Sequence, residues 1–151
     1  MAALPSAIFY HVSPLPLRPG SIIEPGNWGR ILRLYIWSGL GVIWMREAIL
    51  EVVRRHAFPE KPSRLESSFV LESIEEARQF HASRSSEIIY EVEIVESSPN
   101  WHRGDWNMVG PNSQHTVLPD LDRFAYAYWE AQAVTRPEIV VLSALRIKNR
   151  V

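Results

Sequence analysis

The sequence predicts a single α+β domain, and three observations support this fold class. The chain has 151 residues, which suits one domain over residues 1–151 with room for a substantial core. Hydrophobic residues make up 46% and charged residues 22%, as in ordinary globular proteins. Strand-like apolar runs alternate with a few helical segments, and the loops between them are too long for a compact doubly wound sheet.

Charge and cysteine content exclude several classes of protein. The net charge of −1 gives no broad basic surface for nucleic acid, although a local cationic groove remains allowed. The absence of cysteine excludes disulfides and thiolate chemistry. The start of the chain, "MAALPSAIFYHV", lacks the features of a signal peptide, and the most apolar run, residues 34–45, is too short to span a bilayer. We therefore expect a cytoplasmic protein with no membrane partner; the alternative is an effector secreted without a classical signal.

The first half of the chain contains a strand, a long loop and a helix. Residues 7–12 have the apolar character of a strand, and four prolines make the following residues 13–29 a loop. Residues 43–56 place apolar side chains on one helical face. Phe58-Pro59 ends this helix, because the residue before a proline avoids the α region.

The second half alternates between short strands and short helices. Ser73, with Glu76 three residues later, forms a capping box that starts a helix ending near His81. The remaining predicted elements are a strand at 69–71, a strand at 87–95, a loop at 97–119, a helix at 121–132 and a final apolar strand from 138 that bends near Ser143.

Several common catalytic motifs are missing from the sequence. In "GLGVIW", Trp44 stands where a dinucleotide-binding fingerprint needs its third glycine, and there is no Walker loop. No G-x-S-x-G nucleophile elbow is present. The five histidines never adopt a zinc-ligand spacing, and His102 with Asp105 is better explained as part of a solvated loop. We expect no metal.

Three other segments form a pattern when they are taken together. "FYHVS" carries His11 in a strand, with Ser13 two residues later. "SSFVLESIEEARQFH" has one aromatic residue in a strand, Phe69, and a second in the next helix, Phe80, eleven positions further on. "RPEIVVLSALRI" places Glu138 at the start of a late apolar strand. These segments resemble, in order, the three motifs of the ADP-ribosyltransferase superfamily in its His-Tyr-Glu branch, the branch of diphtheria toxin and poly-ADP-ribose polymerase. The resemblance extends over nearly the whole chain.

The resemblance implies a fold, an activity and a set of partners. The fold would be an ADP-ribosyltransferase-like split antiparallel sheet, in which two packed sheets form an NAD cleft flanked by helices. The activity would be NAD-dependent mono-ADP-ribosyl transfer to a macromolecular acceptor, protein or nucleic acid, with release of nicotinamide. Such a small single domain resembles bacterial or phage toxins and defence effectors, for which an antitoxin or inhibitor protein is a candidate partner.

The resemblance also implies roles for the polar residues. Cleavage of the nicotinamide–ribose bond builds positive charge on the sugar, which a carboxylate stabilises. Glu138 would supply this carboxylate, and His11 would hydrogen-bond a ribose hydroxyl. Ser13 would support His11 or the ligand. Arg64 would reach the pyrophosphate as a bidentate donor, with a solvent-facing arginine as the alternative.

The remaining roles concern the nicotinamide. Phe69 and Phe80 would sandwich its ring, and the backbone of Val12 would bind its carboxamide. The chain departs from the family at three points. Both aromatic positions, usually Tyr, are Phe; Ala77 replaces a helix serine; and Arg136, two residues before Glu138, replaces a carboxylate or amide and puts a cation near the acceptor.

Alternatives remain for the catalytic residue and for the function. Glu130 is a rival glutamate, although a solvated helix face explains it more simply. The same fold would also suit an RNA 2′-phosphotransferase-like or NAD-hydrolysing relative, with Arg18, Arg64 and Arg136 as pocket arginines. A third reading is a degenerate binding domain that uses the loop around Trp101 and Trp106. The preferred assignment requires the strands of His11 and Glu138 to lie side by side with both side chains facing one space.

Overall fold

A computed structural model describes residues 4–34, 41–82, 87–108, 118–131 and 133–151. The chain forms an α+β structure, as predicted. Its elements in chain order are β1 (Phe9–Ser13), β2 (Ile22–Ile23), α1 (Asn27–Leu34), α2 (Gly41–Ala57), β3 (Ser68–Val70), α3 (Ile74–Ala82), β4 (Ile88–Ile94), β5 (Trp101–Asp105), a 3-10 turn (Trp106–Met108), α4 (Leu118–Glu130), β6 (Pro137–Val141) and β7 (Leu145–Arg150).

The described strands form two antiparallel sheets, which a β-bridge joins. The first sheet has the order β1-β4-β7-β2 and the second the order β3-β6-β5. Tyr10 of β1 and Leu71, directly after β3, join them by two main-chain hydrogen bonds of 2.9 and 2.8 Å. The strands that carry the three motifs, β1, β3 and β6, therefore follow one another across the structure. β3 lies between the other two, so the strands of His11 and Glu138 are not direct neighbours, which corrects that expectation.

Strand β6 is buried on both faces because each face packs on a different hydrophobic cluster. One cluster lies between the two sheets, where both contribute side chains; it consists of Phe9, Val70, Tyr90, Val92, Ile139, Val141, Leu145 and Ile147. The other joins Val140 of β6 to apolar side chains of α2 and α4. Alternation along β6 thus points Ile139 and Val141 to one cluster, and Glu138 and Val140 to the helices.

Helix α3 starts as the sequence predicts. The Glu76 amide donates to Ser73 Oγ (3.2 Å), and the Ser73 amide donates to Glu76 Oε2 (3.1 Å), which completes the capping box. Ala77 is fully buried on this helix, which packs against β1 and β4. Helix α2 ends at Ala57, as Phe58-Pro59 requires.

Two segments predicted as loops contain regular structure. Residues 13–29 include β2 and the start of α1, and residues 97–119 include β5 and the 3-10 turn. β5 has the sequence Trp-His-Arg-Gly-Asp, which has little intrinsic strand preference, so its pairing with β6 decides its conformation. The predicted bend near Ser143 is confirmed as the break between β6 and β7.

Parts of some predictions lie outside the described residues, namely positions 35–40 of the apolar run, 109–117 of the loop and 132 of the helix. Within the described ranges, no helix is long and apolar enough to cross a membrane.

Candidate functional site

Arg64 organises the centre of the candidate site. It lies between α2 and β3, only 5% exposed, and its Nε and Nη2 donate to the two oxygens of Glu47 on α2 (2.9 and 3.2 Å). Its Nη1 donates to Glu138 Oε1 and to the Tyr128 hydroxyl. Tyr128, in the last turns of α4, also donates to Glu138 Oε1 (2.8 Å). We call Arg64, Glu47, Tyr128 and Glu138 the Arg64 cluster.

The Arg64 cluster contains two carboxylates and one guanidinium. Burial favours the neutral form of Arg64, but the nearby charges of Glu138 and Glu47 outweigh it and hold the pKa of Arg64 well above its usual value. Burial also raises the pKa of Tyr128, so its phenol stays protonated and acts as a donor. The cluster thus sets two carboxyl groups against one guanidinium.

Phe69 connects the Arg64 cluster to His11. The Arg64 guanidinium lies 4.7 Å from the centre of the Phe69 ring, and the Phe69 carbonyl lies 2.8 Å from His11 Nδ1. A carbonyl can only accept, so Nδ1 carries a proton. Burial lowers the pKa of His11, although this hydrogen bond opposes the shift. The ring is therefore neutral at physiological pH, with Nε2 as its hydrogen-bond acceptor.

Phe80 lies in a second group of aromatic side chains. Its ring meets Trp106 edge-on, with 5.2 Å between ring centres, and the Arg136 guanidinium lies 5.0 Å from the Trp106 ring. Trp106 packs against the cluster that includes Phe69 and also against the cluster that includes Phe80. The structure thus brings the two predicted stacking residues to groups that share Trp106, which the degenerate-domain alternative assigned to a binding loop.

The other two residues of the first motif, Val12 and Ser13, differ in their contacts. Val12 is half-buried and packs in the same cluster as Phe80. Ser13 is buried, and its hydroxyl accepts from the Leu15 amide (3.2 Å). This contact fixes the bend after β1, and the support of His11 or the ligand by Ser13 stays a prediction.

Two predictions about charged residues need correction. Arg64 does not face solvent, and four of its N–H···O contacts go to Glu47, Glu138 and Tyr128, so its geometry favours holding a carboxylate over contacting a pyrophosphate. His102 and Asp105 do not belong to a solvated loop, since both are buried in β5. Glu130, by contrast, is exposed at the end of α4, which agrees with the solvated helix face that the sequence predicted for it.

Sequence reasoning missed two members of the Arg64 cluster. The residues around Glu47 have the pattern of an ordinary amphipathic helix, in which a glutamate is expected on the exposed face. Tyr128 has the pattern of an ordinary aromatic residue of the core. Only the packing of α2 and α4 on the same sheet face brings them to Arg64. Among the described residues, no group of three or more His, Cys, Asp or Glu side chains could hold a metal ion.

A family model matches most of this chain. The model described as "Protein of unknown function (DUF2441)" matches residues 34–149, and the chain belongs to that DUF2441 family. The match includes Arg64, Phe69, Phe80 and Glu138, whereas His11 lies before it. No curated protein matches the chain.

Proposed function

We propose that this chain is an NAD-dependent mono-ADP-ribosyltransferase with an ADP-ribosyltransferase-like split sheet, acting in the cytoplasm on a macromolecular acceptor. The observation that carries the proposal is the contact path from His11 through Phe69 and Arg64 to Glu138, across three successive strands. Residues far apart in the sequence, and singled out by their resemblance to three motifs, meet along this path.

The chemistry needs negative charge near a developing cation. When the nicotinamide–ribose bond breaks, the bonding electrons leave with nicotinamide and the ribose carbon becomes oxocarbenium-like. In the proposal Glu138 lies against this ribose, and Glu47, the second carboxylate of the Arg64 cluster, adds to its field. An acceptor nucleophile then forms the new bond to the same carbon and loses its proton.

Arg64 and Tyr128 act as positioning residues for Glu138 in this scheme. Both of their hydrogen bonds end on Oε1, which fixes the carboxylate plane. Oε2 takes no part in these two bonds, and we assign it to a ribose hydroxyl. His11, fixed by the Phe69 carbonyl in the Nδ1–H form, offers Nε2 to a second hydroxyl donor.

The aromatic residues complete the proposed nicotinamide site. Phe69 and Phe80 supply ring faces without the hydroxyls of the usual tyrosines, and Trp106 borders both groups. The backbone of Val12 remains the proposed carboxamide contact. Ala77 is core, so no hydroxyl assists at that position. Arg136 is exposed on Trp106, where an acidic or phosphate-bearing acceptor would meet a cation.

The test is nicotinamide release from labelled NAD, with protein and nucleic-acid acceptors supplied separately. We expect Glu138→Gln to lower release by a factor of about 100 or more, the usual effect of removing an electrostatic stabiliser. Glu130→Gln is the matched control, because Glu130 is an exposed glutamate at the end of α4, and it should retain wild-type activity. Transfer of label to only the protein or only the nucleic acid would identify the class of acceptor.

Two outcomes would reject the proposal. One is the absence of nicotinamide release by the wild-type chain with either acceptor. The other is undiminished release by a folded Glu138→Gln variant.

A second candidate function is favoured by the burial of Glu138. A carboxylate that is 5% exposed and paired with Arg64 also suits a domain that binds a partner without catalysis. NAD affinity separates the two functions: NAD binding that His11→Ala abolishes supports the enzyme, and no NAD binding supports the degenerate domain. The engagement of Arg64 by carboxylates removes one phosphate contact from the 2′-phosphotransferase alternative, which therefore has less support.

A further inference from the structure

A groove of about 540 Å³ lies outside the Arg64 cluster. Its walls come from residues 60–61 after α2, residues 99–103 at the start of β5, and Ala131 after α4. We call it the β5 groove. Its volume is within the range of sites for small molecules and exceeds what a bare ion needs.

The rim of the β5 groove is held in place by side chains. Arg54 Nη1 donates to the Lys61 carbonyl (2.9 Å), which ties the rim to α2. Asn100 Nδ2 donates to the Glu60 carbonyl (2.8 Å), which ties the same segment to the start of β5. The groove is therefore formed before any ligand arrives, which lowers the entropic cost of binding.

Lys61 is the unusual charge in this groove. Its half-buried ammonium donates to a neutral acceptor, the Trp129 carbonyl, and lies 5.0 Å from the centre of the Phe58 ring, and no described carboxylate forms an ion pair with it. Burial lowers the pKa of Lys61, although the more distant charges of Glu60 and Glu130 act in the opposite direction. A cation in partial burial without a contacting anion is stabilised by an anionic ligand.

Two more residues of the lining, His102 and Arg103, carry polar side chains. His102 Nε2 donates to the Tyr128 carbonyl (3.0 Å), and burial, together with the charge of Lys61, lowers the pKa of His102 to about 4. His102 is thus neutral at physiological pH and adds no positive charge to the lining of the groove. Arg103 adds a second cation to the lining and also contacts Glu72 (3.1 Å).

We infer that the β5 groove binds a small molecule through an oxyanion, a phosphate or a carboxylate, with Lys61 as its charge partner. The groove uses none of the residues proposed to bind NAD, so the inference does not depend on the proposed function. If the β5 groove binds no oxyanion, the proposed function is unaffected, and if the proposed function is rejected, the inference about the groove is unaffected.

The experiment titrates the intact chain with inorganic phosphate and with acetate, using chloride at matched ionic strength as the reference. The ¹³Cε resonance of Lys61 is followed by NMR over a range of pH. We expect saturable shifts of Lys61 and a higher Lys61 pKa with phosphate or acetate. The anion that binds more tightly, phosphate or acetate, identifies the class of oxyanion that the groove prefers.

The variant Lys61→Gln should weaken binding about tenfold or more, as expected for the loss of a charge-assisted contact. Lys148→Gln is the matched control, because Lys148 is exposed on β7 and contacts Glu93 (3.6 Å). The wild-type titration alone decides the matter if Lys61→Gln does not fold. Equal shifts with chloride, no saturation, or unchanged binding by Lys61→Gln would overturn the inference.

Discussion

At the scale of single residues, Arg64 has the largest influence on the candidate site. A buried guanidinium is stable only when several acceptors surround it, and Glu47, Glu138 and Tyr128 provide them. The same contacts restrain the Glu138 side chain, because Arg64 and Tyr128 both donate to its Oε1. Structure and proposed chemistry therefore depend on the same hydrogen bonds.

We predict that Arg64→Met destabilises the chain by about 3–5 kcal/mol, because it leaves two buried carboxylates without their counter-ion. Arg146→Met is the matched control: Arg146 pairs with Glu93 at 3.2 Å, but both side chains are nearly half exposed. Solvent screens that pair, and its loss should cost at most about 1 kcal/mol. Urea unfolding measures both values, and equal costs for the two variants would contradict a buried ionic role for Arg64.

Arg64 also shows what the sequence could not reveal. Its position in "PSRLESS" is compatible with a phosphate contact or with solvent, and only the packing of α2, α4 and β6 shows that it is a buried partner of Glu138. The motif residues His11, Phe69 and Glu138 could be chosen from order and spacing along the chain. Glu47 and Tyr128 could not, because their helices have no local signal for burial of a charge.

At the scale of elements, local signals predicted the helices that have caps and breakers. Ser73 with Glu76 started α3, and Phe58-Pro59 ended α2. β5 was missed because its residues resemble a loop, and the strand is produced by pairing with β6 over five residues. α1 was missed for a different reason. The prolines and glycines that precede it led to the prediction of a loop for the whole of residues 13–29, which include the start of the helix.

The packing of β5 against α4 depends on a glycine. Gly104 pairs with Glu138, and a Cβ at position 104 would overlap the ring of Tyr128. We predict that Gly104→Ala displaces Tyr128 and costs about 1–3 kcal/mol, as overpacking usually does. In the proposed enzyme it also lowers nicotinamide release, because the displaced phenol no longer holds Glu138 Oε1.

Gly41→Ala is the control for this prediction. Gly41 begins α2, and a Cβ there would meet open space, so alanine should be neutral or slightly stabilising. Urea unfolding compares the two variants. A Gly104→Ala chain as stable as the Gly41→Ala chain would show that Tyr128 can shift without loss.

At the scale of the whole molecule, the end of α4 joins the two candidate sites. On one side the Tyr128 hydroxyl binds Glu138, and on the other the Tyr128 carbonyl accepts from His102, which lines the β5 groove. Trp129, the next residue, is fully buried and stacks near His102 with 5.0 Å between ring centres. This arrangement requires His102 to stay neutral, because a charged imidazole there would be buried beside Lys61.

The stability of the molecule should therefore depend on pH through His102. Its pKa is about 4 in the folded chain, against an ordinary 6.5, so between these values the unfolded chain binds a proton that the folded chain does not. The stabilisation is fully present above the ordinary value and is lost as the pH falls towards the folded value. From about pH 7 to about pH 5 we expect a loss of about 2 kcal/mol from this residue.

His102→Gln should reduce this pH dependence, since its amide can still donate to the Tyr128 carbonyl but does not titrate. His11 contributes a loss of the same sign, because burial lowers its pKa too, so some dependence should remain. His56→Gln is the matched control, because His56 is exposed on α2. Urea unfolding at the two pH values measures each slope. A His102→Gln slope equal to that of the His56→Gln chain would mean that His102 takes up its proton over the same pH range in the folded and the unfolded chain, so that the end of α4 accommodates its charge.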